Sequence, residues 1–90
     1  MPDGTWSPDE AAAFKRRLGR SALDLGDTNA DPTCPDIWKL DNGDVAFIGR
    51  DLTSSYATRL PPGVSIGSGE RLVVLPRNMI VAAKMDMPDA

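Results

Sequence analysis

The side chains in this 90-residue chain that carry chemistry fall into a few groups, and histidine is in none of them, because the sequence contains none. Its absence removes the commonest general base and the commonest metal ligand together. Five acids, Asp27, Asp31, Asp36, Asp41 and Asp44, offer oxygens of the kind a hard cation takes. A calcium loop alternates such acids around a central glycine. With Gly43 in that position, Trp38 and Leu40 would fall where ligands belong, so the acids read as solvated turn residues. Cys34-Pro35 has three readings: nucleophile, axial haem ligand or plain loop cysteine. A nucleophile needs a nearby base to make thiolate, and no histidine supplies one. A small buried cysteine is the expected case. Gly63-Val-Ser-Ile-Gly-Ser-Gly69 has the look of a phosphate loop. No lysine follows its last glycine, and the next element reads as a strand where a helix N-terminus is required. The expectation is therefore no catalytic residue, no metal ligand set and no cofactor, hence not an enzyme. A domain of this size also has little room for a pocket of ~300 Å³ or more.

Lys15, Arg16, Arg17 and Arg20 form the one basic cluster, the candidate contact for phosphates or DNA. A helix-turn-helix would need a recognition helix soon afterwards, and the chain breaks instead into Asp, Asn and Pro. The formal net charge is −3, which argues against broad nucleic-acid binding. Nine acids against five bases in residues 1–45, and four against five in 46–90, place the acid mainly in the first half. With 41% hydrophobic and 26% charged residues, the composition is that of a globular protein, not a disordered one. No apolar run approaches the ~20 residues that span a bilayer. The opening Met-Pro-Asp-Gly-Thr-Trp has neither the basic start nor the apolar segment of a signal peptide, and one cysteine cannot form an internal disulfide. The expected compartment is the cytoplasm, and the expected organisation is one domain over 1–90 with frayed ends at 1–6 and 86–90.

The elements that would position these groups can be read in order. Ser7-Pro8-Asp9-Glu10 is a capping box with proline at the first helical position, and it predicts a helix from Pro8 to about Leu18, with a weaker turn up to Leu25. Ala11, Phe14, Leu18, Ala22 and Leu25 would be its buried stripe. Residues 26–36 read as loop. Ile37–Leu40 and Val45–Ile48 flank Asn42-Gly43, a strong hairpin signal. A two-residue turn there sets Leu40 opposite Val45 and Trp38 opposite Phe47, with Ile37 and Ile48 on the other side. Thr53 and Ser54 can cap a short helix running to about Leu60, which Pro61-Pro62-Gly63 stops. Arg71–Leu75 reads as the third strand. Met79–Met85 reads as a short helix with Asn78 as N-cap, with a strand over Met79–Val81 as the alternative.

Three stretches carry a resemblance: Cys34-Pro-Asp-Ile-Trp38, Gly43-Asp-Val-Ala-Phe-Ile-Gly-Arg-Asp-Leu-Thr53, and Glu70-Arg-Leu-Val-Val-Leu-Pro-Arg77 with Ala82-Ala83-Lys84. Together they resemble a group of small uncharacterised actinobacterial proteins with a C-P-D-I-W … G-D-F-A-V-I-G-x-D … E-R-[IL]-V-x-[IV]-P-R layout. The similarity spans residues 34 to 85. Val-Ala-Phe-Ile stands here where the layout has Phe-Ala-Val-Ile, a swap that keeps the alternation. The resemblance implies no activity. It implies a gene neighbourhood with helix-turn-helix regulators, hence an accessory regulatory role.

The expected fold is α+β: an N-terminal helix and two short helices on a small, mainly antiparallel sheet of three strands. The expected function is a non-enzymatic protein-binding module, accessory to a transcriptional regulator or antitoxin-like. Its candidate partner-binding residues are Ile37, Ile48, Arg50 and Arg77, with homodimerisation through the hairpin as one form of that binding. The alternatives are a small-ligand or metal-binding protein using the acidic loop, and a DNA binder using Lys15, Arg16, Arg17 and Arg20.

Overall fold

The structure, a computed structural model, describes residues 6–28 and 35–87. It is a small α+β fold. Its elements in chain order are β1 (Phe14–Arg17), α1 (Ala22–Leu25), β2 (Asp36–Leu40), β3 (Val45–Ile48), β4 (Arg50–Asp51), α2 (Thr53–Tyr56), β5 (Val73–Val74) and α3 (Arg77–Lys84). β1, β2 and β3 form an antiparallel sheet in that order, and β4 pairs with β5 in a separate antiparallel ribbon.

The N-terminal helix expected from Pro8 to Leu18 is replaced by a turn and a strand. The hydrogen bonds that form there belong to Asp9 and not to the Ser7–Glu10 capping box: the Ala11 N–H donates to Asp9 Oδ1 at 2.9 Å, and the Ala12 N–H to the Asp9 carbonyl at 3.2 Å. They close one turn and no more. A lone helix of about ten residues is marginal in water, whereas the edge of the β2–β3 hairpin offers a full ladder to residues 14–17. Asp41, in the hairpin turn, fixes the start of that ladder. Its N–H donates to the Ala13 carbonyl at 2.8 Å, and its Oδ1 accepts the Ala13 N–H at 3.2 Å. The weaker helical turn survives as α1, capped by Ser21, whose hydroxyl accepts the Asp24 N–H, and closed by Gly26 at φ 77°.

The hairpin itself is present with a different register. Lys39 pairs with Val45, Trp38 with Ala46, Ile37 with Phe47 and Asp36 with Ile48. The Gly43 N–H bonds to the Leu40 carbonyl (3.1 Å), the Leu40 N–H to the Asp44 carbonyl (2.8 Å), and Gly43 takes φ 93°. This is a three-residue loop with a glycine bulge. The one-residue difference from the expected turn moves Trp38 and Phe47 to opposite faces.

Arg71–Leu75 was expected as the third strand of the main sheet. Only Val73–Val74 is strand, and it pairs with β4. α2 is a single turn and stops short of Leu60. α3 is the helix expected for the C-terminal segment, not the alternative strand over Met79–Val81, but it begins at Arg77, with Pro76 rather than Asn78 at the cap position. The core is small: Leu18, Ala22, Ile37, Met79 and Ala83, each at most 1% exposed, ringed by Leu25, Val45, Leu75 and Met87. It lies between one face of the sheet and the pair α1 and α3. Gly19, at φ 77°, lets the β1–α1 turn lie on α3: a Cβ there would sit 2.7 Å from the Ala83 nitrogen. Its N–H donates to Asp86 Oδ2 at 2.7 Å.

Candidate functional site

The sheet has a second face, opposite the core, and its side chains form the best-organised polar and aromatic group among the described residues. An irregularity between Phe14 and Arg16 adds one residue to β1. Residues 14 and 17, three apart, therefore land on the same side, flanking Trp38. The Phe14 ring stacks on Trp38 with centroids 5.6 Å apart and planes 22° from parallel. The Arg17 guanidinium lies 4.9 Å from the Trp38 ring centroid. Arg17 also forms a bidentate pair with Asp36, Nε to Oδ1 and Nη2 to Oδ2, both at 2.9 Å. Burial pushes the Asp36 carboxyl up. The hydrogen bonds from Arg17 and from the Trp38 side chain, the Arg17 charge and the Ile37 N–H outweigh it and hold the carboxyl below the usual range. Ile48, across the ladder from Asp36, completes the face. Phe14 is 59% exposed and Ile48 48%, so the face is open to solvent.

A second tie lies at the small ribbon. Asp51 Oδ1 accepts the Thr53 hydroxyl at 2.7 Å and the Thr53 N–H at 3.0 Å, and the Thr53 hydroxyl oxygen accepts the Leu72 N–H at 2.8 Å. The Thr53 hydroxyl, followed by its N–H, holds Asp51 below the ordinary carboxylate range. α2 and residues 64–71 border an open groove of about 370 Å³, with Leu60, Val64 and Ile66 beside Glu70 and Arg71.

The residues singled out in the sequence scatter over this structure. Ile37, expected on a partner-binding surface, is a core residue at 1% exposure, because the register turns it towards Met79 and Ala83. Ile48 and Arg50 are exposed and lie on successive strands, β3 and β4; Arg77 is the exposed first residue of α3. Lys15, Arg16, Arg17 and Arg20 share no helix face. Arg17 is on the outer face with Asp36, Arg16 is opposite Lys39 on the other side, Lys15 sits in the bulge, and Arg20 follows Gly19 in the turn. Among the acids, Asp36 pairs with Arg17, Asp41 pins Ala13, and Asp44 bonds within the turn to Asn42 at 3.0 and 3.4 Å. Among the described residues no three of Cys, Asp and Glu come together as a metal would need. Asp31 and Cys34 lie outside the described residues. No helix is long and apolar enough to cross a membrane among the described residues.

Phe14, Arg17 and Asp36 as parts of one face were not visible in the sequence, because the bulge that joins them leaves no signature in residue type. No family model, no curated protein and no solved structure matches this chain.

Proposed function

We propose that this chain is a non-enzymatic protein-binding module, and that the outer face of its three-stranded sheet is the surface it uses. The observation that carries the reading is the exposed Phe14–Trp38–Arg17 stack with Ile48 beside it. Aromatic rings and arginine are the side chains that dominate binding energy at protein interfaces. Here they are already ordered: the ion pair with Asp36 holds Arg17, and the stack holds Phe14, so a partner pays little ordering entropy at either. The accessory regulatory or antitoxin-like role is part of the proposal and rests on the resemblance of residues 34–85 to small proteins found beside helix-turn-helix regulators. Ile48 lies within this surface, and Arg50 and Arg77 are exposed positions that can border such a contact. No nucleic-acid contact is proposed for the basic cluster, which does not form one surface.

The test is affinity capture from the source cells with the wild-type chain, with Phe14→Asp and with Ile48→Asp, each checked for folding by circular dichroism. A protein retained stoichiometrically by wild type and lost at least about tenfold with Phe14→Asp supports the proposal. Retention that ignores both substitutions places the interface elsewhere and sinks it. A small-ligand reading has one observation in its favour, the groove beside α2. It predicts that a small-molecule screen will raise the melting temperature of wild type but not of Ile66→Arg.

A further inference from the structure

The two edges of the main sheet are built differently. The β1 edge carries Lys15, Arg16, Arg17 and a bulge, the devices that keep an edge strand from pairing with another chain. The β3 edge, Val45-Ala-Phe-Ile48, has no charge, no proline and no bulge, and Phe47 is 45% exposed. The direction of its backbone groups follows from the hairpin. The Leu40 N–H bonds to the Asp44 carbonyl at 2.8 Å, so Asp44, Ala46 and Ile48 turn their peptide groups towards β2. The same alternation turns Ile37 towards β1, where its carbonyl accepts the Leu18 N–H at 2.9 Å. Val45 and Phe47 therefore present their N–H and C=O groups to the free edge. Among the described residues, none of the backbone hydrogen bonds satisfies them there.

We infer that this edge pairs with the same edge of a second copy of the chain, antiparallel about a two-fold axis at Phe47. The charges along the strand choose that partner and that register. Asp44 stands before the apolar run and Arg50 after it, and the Arg50 side chain forms no hydrogen bond or ion pair among the described residues. Centring the axis on Phe47 sets each Asp44 opposite the other copy's Arg50, each Ala46 opposite Ile48, and Phe47 opposite Phe47. Phe47 exchanges a reciprocal pair of backbone hydrogen bonds with its own copy. Both core faces then lie on the same side of one continuous sheet. Moving the axis to Ala46 would put Asp44 against Ile48, an apolar partner for a carboxylate. The interface goes beyond the proposed outer-face binding; it shares Ile48 and Arg50 with that reading but leaves Phe14 and Trp38 uncovered, so Phe14→Asp tests the one and Phe47→Lys the other.

Sedimentation equilibrium of the full chain over a concentration series tests it. Wild type is expected to show a monomer–dimer equilibrium with Kd on the order of 10 µM, as suits an interface below the standard size. Arg50→Glu sets like charges across the pair and is expected to raise Kd at least about tenfold. Asp44→Arg with Arg50→Glu restores opposite charges and with them the dimer, which a merely structural role for either residue does not predict. Phe47→Lys, on an exposed position, gives a monomer with an unchanged circular dichroism spectrum. A wild-type chain that stays monomeric through the series overturns the inference, as does a dimer indifferent to both Arg50→Glu and Phe47→Lys.

Discussion

Asp36 shows how much one side chain can organise. It holds the Arg17 guanidinium with both oxygens, and Arg17 in turn covers Trp38. Its carboxyl is depressed in the folded state, so the native protein binds fewer protons there than the unfolded chain. The stability from this group is fully present above the unfolded value near pH 4 and is lost as pH falls through the lower folded value. Urea midpoints measured from pH 6 down to pH 2 are expected to fall below about pH 4, and less steeply for Asp36→Asn. At neutral pH that substitution costs about 1 kcal/mol, since Arg17 keeps part of its hydration. Glycine gives a second comparison at this scale. Gly19 and Gly26 share φ 77°, but only Gly19 has backbone within reach of an added methyl, the Ala83 nitrogen at 2.7 Å. Gly26→Ala should cost about 1 kcal/mol from its left-handed conformation alone. Gly19→Ala should cost about 3 kcal/mol or more, because α3 must move. Denaturant titration of the pair separates the two contributions.

Among elements, the small ribbon depends on Thr53. Its hydroxyl donates to Asp51 and accepts from the Leu72 N–H, joining β4, α2 and the entrance to β5 through one oxygen. Thr53→Val keeps the shape and leaves the Leu72 N–H without its acceptor. The expected loss is about 1–2 kcal/mol, and the Leu72 amide should exchange with solvent faster than in wild type. How far the elements were legible follows the same local logic. Asn42-Gly43 announces the hairpin because a turn is decided by the residues in it. The turn's exact length is not, and that length decides which face holds Trp38. The capping box at Ser7–Glu10 announces a helix start, but the one turn that forms is closed by Asp9. Whether the helix continues depends on a competing ladder contributed by residues more than twenty positions away. Leu18 and Ala22 were rightly expected in the core, though from a helical stripe that does not exist; as part of a strand, Phe14 falls on the other side. Of the candidate site, the sequence names Ile48 as the companion of Ile37 on the face away from Trp38, whereas the register sets Ile48 on the Trp38 face and buries Ile37; the Phe14–Arg17 pairing is hidden in a bulge.

At the scale of the whole molecule the core is thin. Among the described residues the fully buried side chains are Leu18, Ala22, Ile37, Met79 and Ala83, while Phe14, Phe47, Ile48, Ile80 and Val81 remain exposed. Two of the five core residues are alanines, so Met79, Leu18 and Ile37 carry most of the apolar burial. Met79→Ala is expected to cost about 2–4 kcal/mol, a large share of what so small a domain holds in reserve. Thermal melts should show it largely unfolded near body temperature.

The stack on the outer face also has an optical consequence. Of the two tryptophans, Trp6 is 68% exposed, whereas Trp38 is half-buried between an aromatic ring and a guanidinium. Replacing Trp6 with phenylalanine leaves a single tryptophan, in the middle of the surface proposed for binding. Its emission becomes a built-in reporter. A protein that covers Phe14 and Ile48 dries the indole and shifts its emission to the blue, whereas association through the β3 edge leaves the colour where it was.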